Sequence, residues 1–220
     1  MIEVLIWIIV VLAITTIVAY IAKKHGVEYL IGTFVALVLI SNILANKLVT
    51  FIYWAVPAGL IAYSVSFLVI DIINEFYDKR KAQKTVWIGF FANLILVVLV
   101  YIAINWEPAS FWNNQEQFEL ILGNTWRIVL ASLMAYLVSQ HHDIWSFNLL
   151  KKATKGKHLW LRNNVSTIVS QFIDTIIFTS IAFYGLFPLI PTITGLFIAK
   201  VIIALLSTPF IYIAKRIYKN

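Results

Sequence analysis

Six charged side chains stand inside otherwise apolar stretches of this 220-residue sequence. Inserting one charge into hydrocarbon costs about 2.5–3.5 kcal/mol, so such residues usually face a partner or a polar cavity. Three are acids and three are bases, so they could neutralise one another as structural ion pairs, or they could enclose a polar ligand. The six residues are Lys47, Asp71, Glu75, Arg127, Asp174 and Lys200.

Amide and hydroxyl residues accompany these charges at helical spacing. One polar stripe comprises Asn163, Thr167, Ser170, Gln171 and Asp174. A second comprises Ser64, Asp71, Asn74, Glu75 and Asp78. Single Ser, Thr or Asn side chains can also be plain interhelical hydrogen-bonding groups worth about 0.6 kcal/mol each.

The acids favour a ligand site, and the predicted binding residues are Asp174, Gln171, Asp71, Asn74, Asn42 and Asn93. Supporting or ion-paired roles are predicted for Lys47, Glu75, Arg127, Ser170 and Lys200.

The elements that must position these residues are membrane-spanning helices. The chain is 61% hydrophobic and 12% charged, against about 25% charged in soluble domains. At about 20 apolar residues per crossing, we expect an all-α polytopic helix bundle of about seven transmembrane helices, forming one domain over residues 1–220. The predicted segments are 2–22, 29–51, 58–77, 85–104, 125–147, 163–184 and 192–214.

Basic residues predict the orientation of these segments. If the N-terminus lies outside, 14 of the 17 Lys and Arg residues, including Arg162, fall on the cytoplasmic side. The other three, Lys47, Arg127 and Lys200, fall within segments. Because Lys and Arg in short loops mark the cytoplasmic face, we expect an N-out, C-in protein of the plasma membrane. Helical rise then places Asn42, Asn93 and Asp174 near mid-membrane.

A polar outside stretch, 105–124, carries three glutamates together with Trp106, Phe111 and Trp112. Because Trp favours the headgroup level, this composition is typical of an amphipathic interfacial cap. A mouth that collects substrate is the alternative interpretation.

The residues that disulfides, metal sites and enzymatic catalysis require are missing from this sequence or poorly arranged in it. There is no cysteine, which excludes disulfides and thiolate chemistry. His141 and His142 are adjacent and would point about 100° apart on a helix, which disfavours a shared metal ion. No nucleotide-binding glycine loop, zincin pair or nucleophile elbow is present, so we expect neither an enzyme nor a bound cofactor or metal. The net charge of +7 sits at segment ends, which predicts contact with anionic lipid headgroups rather than with nucleic acid.

Longer runs resemble a known family. The similar stretches are Ser41-Asn42, residues 71–77 (DIINEFY), residues 131–140 (ASLMAYLVSQ) with Asp143 and Phe147, and residues 160–167 (WLRNNVST) continuing to Ser170, Gln171, Asp174, Thr175 and Phe178. They resemble the queuosine-precursor transporters of bacteria and archaea, formerly called putative vitamin uptake transporters. The resemblance is strongest over 37–183. Asp78 replaces a frequent glycine of the family, and the first segment is additional to a six-helix core.

The resemblance implies import of 7-deazaguanine bases, such as 7-cyano-7-deazaguanine and its aminomethyl relative. The N1 and 2-amino groups of such a base would donate to a carboxylate, either Asp174 or, failing that, Asp71. The amides of Gln171, Asn42, Asn74 and Asn93 would satisfy the carbonyl and ring nitrogens. The candidates for stacking on the flat ring are Phe67, Phe178 and Trp87.

Other functions stay open at this point. A substrate-capture subunit that needs an energising partner would have similar size, and small-residue faces at Ala58/Ala62 and Ala131/Ala135 could contact a partner or a second copy in a homodimer. An intramembrane enzyme would need a nucleophile or metal constellation, which is not found. Proton symport and facilitated diffusion are equally compatible with the buried acids.

Overall fold

The computed structural model describes residues 2–123, 126–185 and 188–219. This described part contains eight helices and one two-stranded antiparallel hairpin. The helices are α1 (Ile2–His25), α2 (Glu28–Leu44), α3 (Leu60–Phe76), α4 (Lys79–Asn105), α5 (Gln115–Leu122), α6 (Trp126–Ala153), α7 (Leu159–Phe183) and α8 (Leu189–Lys219), and the strands are β1 (Leu48–Phe51) and β2 (Trp54–Pro57).

Helix α3 is the centre of the bundle. It packs against α1, α2, α4, α6, α7 and α8, and every residue from Ser64 to Asn74 is buried. A helix that is enclosed on all sides by other helices never meets lipid. Two acids of this helix, Asp71 and Glu75, therefore face protein groups rather than hydrocarbon.

The outer surface of the bundle is apolar. Large side chains of α1 and α4, such as Trp7, Ile14, Ile95 and Leu99, are between half and three-fifths exposed. A surface of this kind fits lipid as its surroundings. Among the described residues, α1, α4, α7 and α8 are long and apolar enough to cross a membrane. The chain is thus an all-α membrane bundle, whereas the number of seven spans and their direction stay predictions.

The segment predicted over 29–51 is wrong over its last seven residues. Helix α2 ends at Leu44, and the chain then forms the β1–β2 hairpin, in which Leu48 pairs with Pro57 and Phe51 with Trp54. The run that leaves the helix contains β-branched and aromatic residues, which fit a pleated half-buried surface. At 1.5 Å per residue the 17-residue α2 is about 26 Å long, and the hairpin continues the chain from its end.

The prediction that Lys47 lies inside a segment is also wrong. Lys47 precedes β1 and is exposed, so its charge needs no buried partner. The hairpin is instead fixed by close packing of its neighbours. A Cβ atom on Gly195 of α8 would lie 2.6 Å from Cγ of Trp54, and one on Gly59 would lie 2.0 Å from the Ser41 carbonyl oxygen.

The basic loop predicted over 151–162 is shorter than expected. Helix α6 continues to Ala153 and α7 begins at Leu159, so Arg162 belongs to the first turn of α7 and is fully buried. Its guanidinium is ion-paired with Glu75, which offsets the loss of hydration. The side chain of Arg127, a predicted supporting residue, lies outside the described residues.

The polar stretch after α4 contains a short helix, α5. Gln115 at its start donates to the Ile104 carbonyl oxygen (2.9 Å) and to Glu119 (2.8 Å), which ties α5 to the end of α4. Trp106 and Phe111 in the same stretch are largely exposed. An amphipathic arrangement of this kind suits the boundary between lipid and water.

Candidate functional site

The carboxylate of Asp174 is the meeting point of four helices. Oδ1 accepts hydrogen bonds from the Tyr63 hydroxyl (2.6 Å) and the Ser139 hydroxyl (3.1 Å), and Oδ2 accepts from the Lys200 ammonium (2.5 Å). Asp174 is 3% exposed and Lys200 is 5% exposed. The acid and the base neutralise one another, so the site is polar and carries no net charge from this pair.

An amide network lies beside this ion pair and joins α2, α4 and α6. Asn42 donates to Asn93 Oδ1 (2.5 Å), Ser132 donates to Asn42 Oδ1 (2.9 Å), and Asn93 donates to the Gly89 carbonyl oxygen (2.8 Å). Each amide therefore uses at least one donor and one acceptor within the bundle. This arrangement fixes the orientation of both amides.

A cavity of about 80 Å³ separates the amide network from the ion pair. Its polar walls include Asn42, Ser132, Tyr63, Asp174 and Lys200, and its apolar walls include Leu60, Leu196 and Phe178. Pro57 of the hairpin and Gly59 also line it. The hairpin, which the sequence did not predict, therefore contributes to the site. A second cavity of about 190 Å³ shares Asn42 and Ser132 with the first and extends along α4 towards Gly123.

Four other predicted residues lie apart from this cavity, closer to the α6–α7 connection. Asn74 accepts from Asn148 (2.7 Å), and Glu75 is ion-paired with Arg162 and with Lys151 (2.7 Å). Asp71 is fully buried and accepts from Thr167 (3.3 Å). Ser170 donates to the Ser166 carbonyl oxygen (2.7 Å).

Gln171 differs from the other predicted residues in its hydrogen bonding. It is fully buried, and neither atom of its amide has a hydrogen-bond partner among the described residues. The structure therefore divides the predicted residues into two groups. Asn42, Asp174 and Lys200 line the first cavity and Asn93 lines only the second, whereas Asp71, Asn74, Glu75 and Ser170 line neither.

The aromatic candidates for stacking are similarly separated. Phe178 lines the cavity. Phe67 is buried and packs edge-on against Tyr63, with 5.7 Å between ring centroids. Trp87 is 46% exposed on the outer face of α4. Only Phe178 of the three borders the described cavity.

Sequence reasoning missed several residues of these networks. Tyr63 and Ser139 hold Asp174, and Ser132 holds Asn42, but none of them was a candidate. A signal existed in α6, because Ser132, Ser139 and Asp143 recur at seven and four residues and so share one helical face. Tyr63 gave no such signal, since a tyrosine in an apolar segment is usually a packing residue.

The arrangement around the cavity suits a neutral, flat, polar molecule. A compensated ion pair offers both an acceptor and a donor, the amide network offers more, and Phe178 with two leucines offers an apolar surface. Binding sites for small molecules combine a mostly apolar lining with a few convergent polar groups in this way. Among the described residues, no three metal-ligating side chains come together.

Comparisons with known proteins point to transport. The sequence profile of a family described as putative vitamin uptake transporter matches residues 57–214. A Bacillus subtilis (strain 168) protein named probable queuosine precursor transporter is 33% identical over 184 residues, which are 82% of this chain and 80% of the relative. The Escherichia coli (strain K12) queuosine precursor transporter is 26% identical over 148 residues, 66% of this chain and 62% of the relative. No solved structure matches the chain significantly.

Proposed function

Because the chain belongs to the putative vitamin uptake transporter family, we propose that it imports queuosine precursors, namely 7-deazaguanine bases such as 7-cyano-7-deazaguanine and 7-aminomethyl-7-deazaguanine. The names of the relatives supply the substrate class. The observation that supports it in this chain is the cavity between the Asp174–Lys200 pair and the Asn42 amide.

The donors of a guanine-like edge would meet Asp174. A carboxylate has about four acceptor positions, and Tyr63, Ser139 and Lys200 occupy three of them. One position on Oδ2 is therefore available to the 2-amino group of the base. The N1–H group would take the place of the Ser139 hydroxyl, which can rotate towards the Tyr136 carbonyl oxygen (3.4 Å).

The remaining edges of the base match the other walls of the cavity. Asn42 and Ser132 lie opposite the ion pair and could bind the ring nitrogens and the carbonyl oxygen. Phe178 could stack on the ring, an interaction worth about 1–3 kcal/mol for a nucleobase. The lack of net charge at the ion pair favours the neutral 7-cyano base over the aminomethyl base, whose ammonium group would need a partner that the cavity does not offer.

The proposed topology has seven spans, with the N-terminus outside and the C-terminus in the cytoplasm. In that orientation the hairpin and the cavity belong to the outer half of the protein, and most basic residues lie inside. Lys47 is the exposed exception on the outer side.

The chain contains no cysteine, so single cysteines can report the topology directly. Lys47→Cys should react with an impermeant maleimide on intact cells, and Lys155→Cys should react only after lysis; the reverse pattern would invert the topology.

Uptake by cells tests the function and the site together. The host lacks its own synthesis and import of 7-deazaguanines, and intracellular 7-cyano-7-deazaguanine is measured by mass spectrometry. We expect accumulation with the wild-type chain and with Glu116→Gln, an exposed acid of α5, which serves as the control. Asp174→Asn should abolish uptake at equal expression. Import at the wild-type rate by this variant would exclude Asp174 from the site, and lack of import by the wild type would refute the function.

The proposal of independent transport differs from that of a substrate-capture subunit. The small-residue faces that could contact a partner are occupied, because Ala62, Ala131 and Ala135 are at most 8% exposed within the single chain. The same burial leaves these faces little room for homodimer contacts. Purified protein in liposomes provides the test: exchange of labelled base without any other protein supports a self-sufficient transporter, and binding without exchange supports the capture subunit.

A further inference from the structure

Two carboxyl groups meet where α3, α6 and α7 come together, apart from the cavity around Asp174. Asp71 and Asp143 are both fully buried, and they lie on facing stretches of α3 and α6 that are joined by hydrogen bonds from Gln140 to Ser66 (3.3 Å) and from Asn148 to Asn74 (2.7 Å), so the two acids are neighbours. Asp71 Oδ1 and both carboxyl oxygens of Asp143 accept no well-aligned hydrogen bond from the described residues. Of the nearby hydroxyls, Thr167 donates to Asp71 Oδ2 (3.3 Å), whereas Ser166 and Ser170 donate to backbone carbonyl oxygens.

Among the described side chains, no cation forms an ion pair with either acid. Of the cations on the elements packed against it, Arg162 and Lys151 are ion-paired with Glu75, and Lys200 with Asp174. The charged groups of α1, α2 and α4 are exposed at helix ends, and those of α5 are exposed as well. His142, beside Asp143 in sequence, contacts Ser170 instead.

The unpartnered oxygens identify what the pair must bind. Two ionised carboxylates in contact at a position closed to bulk water repel one another, so such pairs share one proton. The other buried acids need no proton because each has its own cation. One proton held between Asp71 and Asp143 removes this repulsion and leaves the pair with a single shared negative charge.

A short polar path leads from this pair towards the side of the bundle. The Nδ1 atom of His142 lies 2.9 Å from the Ser170 hydroxyl, and that hydroxyl is also within reach of the Asp143 carboxyl group. His142 is only partly buried. Histidine exchanges protons near neutral pH more readily than other side chains, so this path can load and unload the pair.

The same three helices build the proton pair and the cavity. Helix α3 carries Tyr63 and Asp71, α6 carries Ser139 and Asp143, and α7 carries Asp174 together with the hydroxyl that donates to Asp71. A movement of α3 relative to α6 that opens the cavity must also change the distance between the two carboxyl groups, and a movement of α7 changes the hydrogen bond from Thr167 to Asp71. Protonation of the pair and occupancy of the cavity are thereby linked.

We propose that the Asp71–Asp143 pair is a proton-binding site and that the protein imports its substrate together with one proton. This inference rests on the proposed function. One proton enters with each base from outside, resides between the two carboxyl groups, and leaves on the cytoplasmic side.

Proteoliposomes and 7-cyano-7-deazaguanine test this proposal, with the membrane potential clamped by potassium and valinomycin. Counterflow exchange at equal pH on both sides measures transport alone. Accumulation driven by a pH step of one unit, acidic outside, measures coupling. For one proton per base we expect about ten-fold accumulation that a protonophore abolishes, together with base-dependent proton influx reported by a dye inside the liposomes.

Variants locate the proton at the pair. Asp143→Asn and Asp71→Asn should retain counterflow and lose accumulation, whereas the exposed control Glu119→Gln should retain both. The proposal is overturned if the wild type exchanges base without proton influx, if a sodium gradient replaces the pH step, or if either Asn variant still accumulates base ten-fold. The influx of protons into wild-type liposomes decides the question even where a variant fails to fold. Absence of wild-type counterflow would instead overturn the proposed function, and this inference with it.

Discussion

The Asp174–Lys200 ion pair allows a sharp prediction about stability. The side chains are 5% and 6% exposed, so water screens the pair little. Removing one partner of a buried pair leaves an uncompensated charge and typically costs about 3–5 kcal/mol, whereas replacing both by neutral groups is often neutral or stabilising. We expect Asp174→Asn and Lys200→Met each to destabilise the protein, and the double variant to recover most of the loss.

Thermal unfolding in detergent, followed by the fluorescence of the eight tryptophans, measures this effect. At roughly 2–4 °C per kcal/mol for a chain of this length, each single variant should lower Tm by on the order of 10 °C, and the double variant should lie within a few degrees of wild type. The double variant should nevertheless fail to import the base, because Asn offers one acceptor oxygen and an NH2 donor where the base needs two acceptors. The reasoning is refuted if the two losses simply add, since additive effects mean that the residues do not interact.

Three further predictions concern the surroundings of the site. Glu75→Gln should lower the free energy of unfolding by about 3–5 kcal/mol, because the fully buried guanidinium of Arg162 loses its partner. Lys151→Gln should lower it by at most about 1 kcal/mol, because the Lys151 side chain is 34% exposed. Equal Tm shifts for the two variants would contradict this prediction. Gly195→Ala should cost about 1–3 kcal/mol through overlap with the hairpin indole, whereas Gly32→Ala, with open space around it, should leave Tm unchanged or raise it. Phe178→Ala should weaken binding of the base roughly 5- to 150-fold, as loss of one stacked ring implies; unchanged affinity by titration would remove Phe178 from the site.

The membrane character of the fold could be predicted from composition, because hydrocarbon is the solvent that tolerates so many apolar residues. The polar stripe of α7 was also predictable, since its spacing places Thr167, Ser170, Gln171 and Asp174 on adjoining positions of one helix. The hairpin could not be predicted, because residues 29–51 form one long apolar run with no Gly or Pro at the true end of α2. Tertiary packing against α8, which the sequence pattern does not contain, decides that end.

The partners of the buried charges were less predictable than their presence. Helical spacing indicates which residues share a face, but not which helices are neighbours. Arg162 was assigned to a loop because basic residues near segment ends usually contact water or lipid headgroups, and only the approach of α3 to α7 gives it Glu75 as a partner. Asp143 looked like an interfacial residue beside two histidines, yet it is fully buried against Asp71.

The central claim is that a 7-deazaguanine base binds in the cavity between Asp174 and Asn42. An experimental structure of the protein with 7-cyano-7-deazaguanine tests this claim most directly. We expect density for the base in that cavity, with its 2-amino group within hydrogen-bonding distance of Asp174 and its ring against Phe178. Density at Asp71 and Asp143, with the Asp174–Lys200 pair unchanged and its cavity empty, would contradict the account.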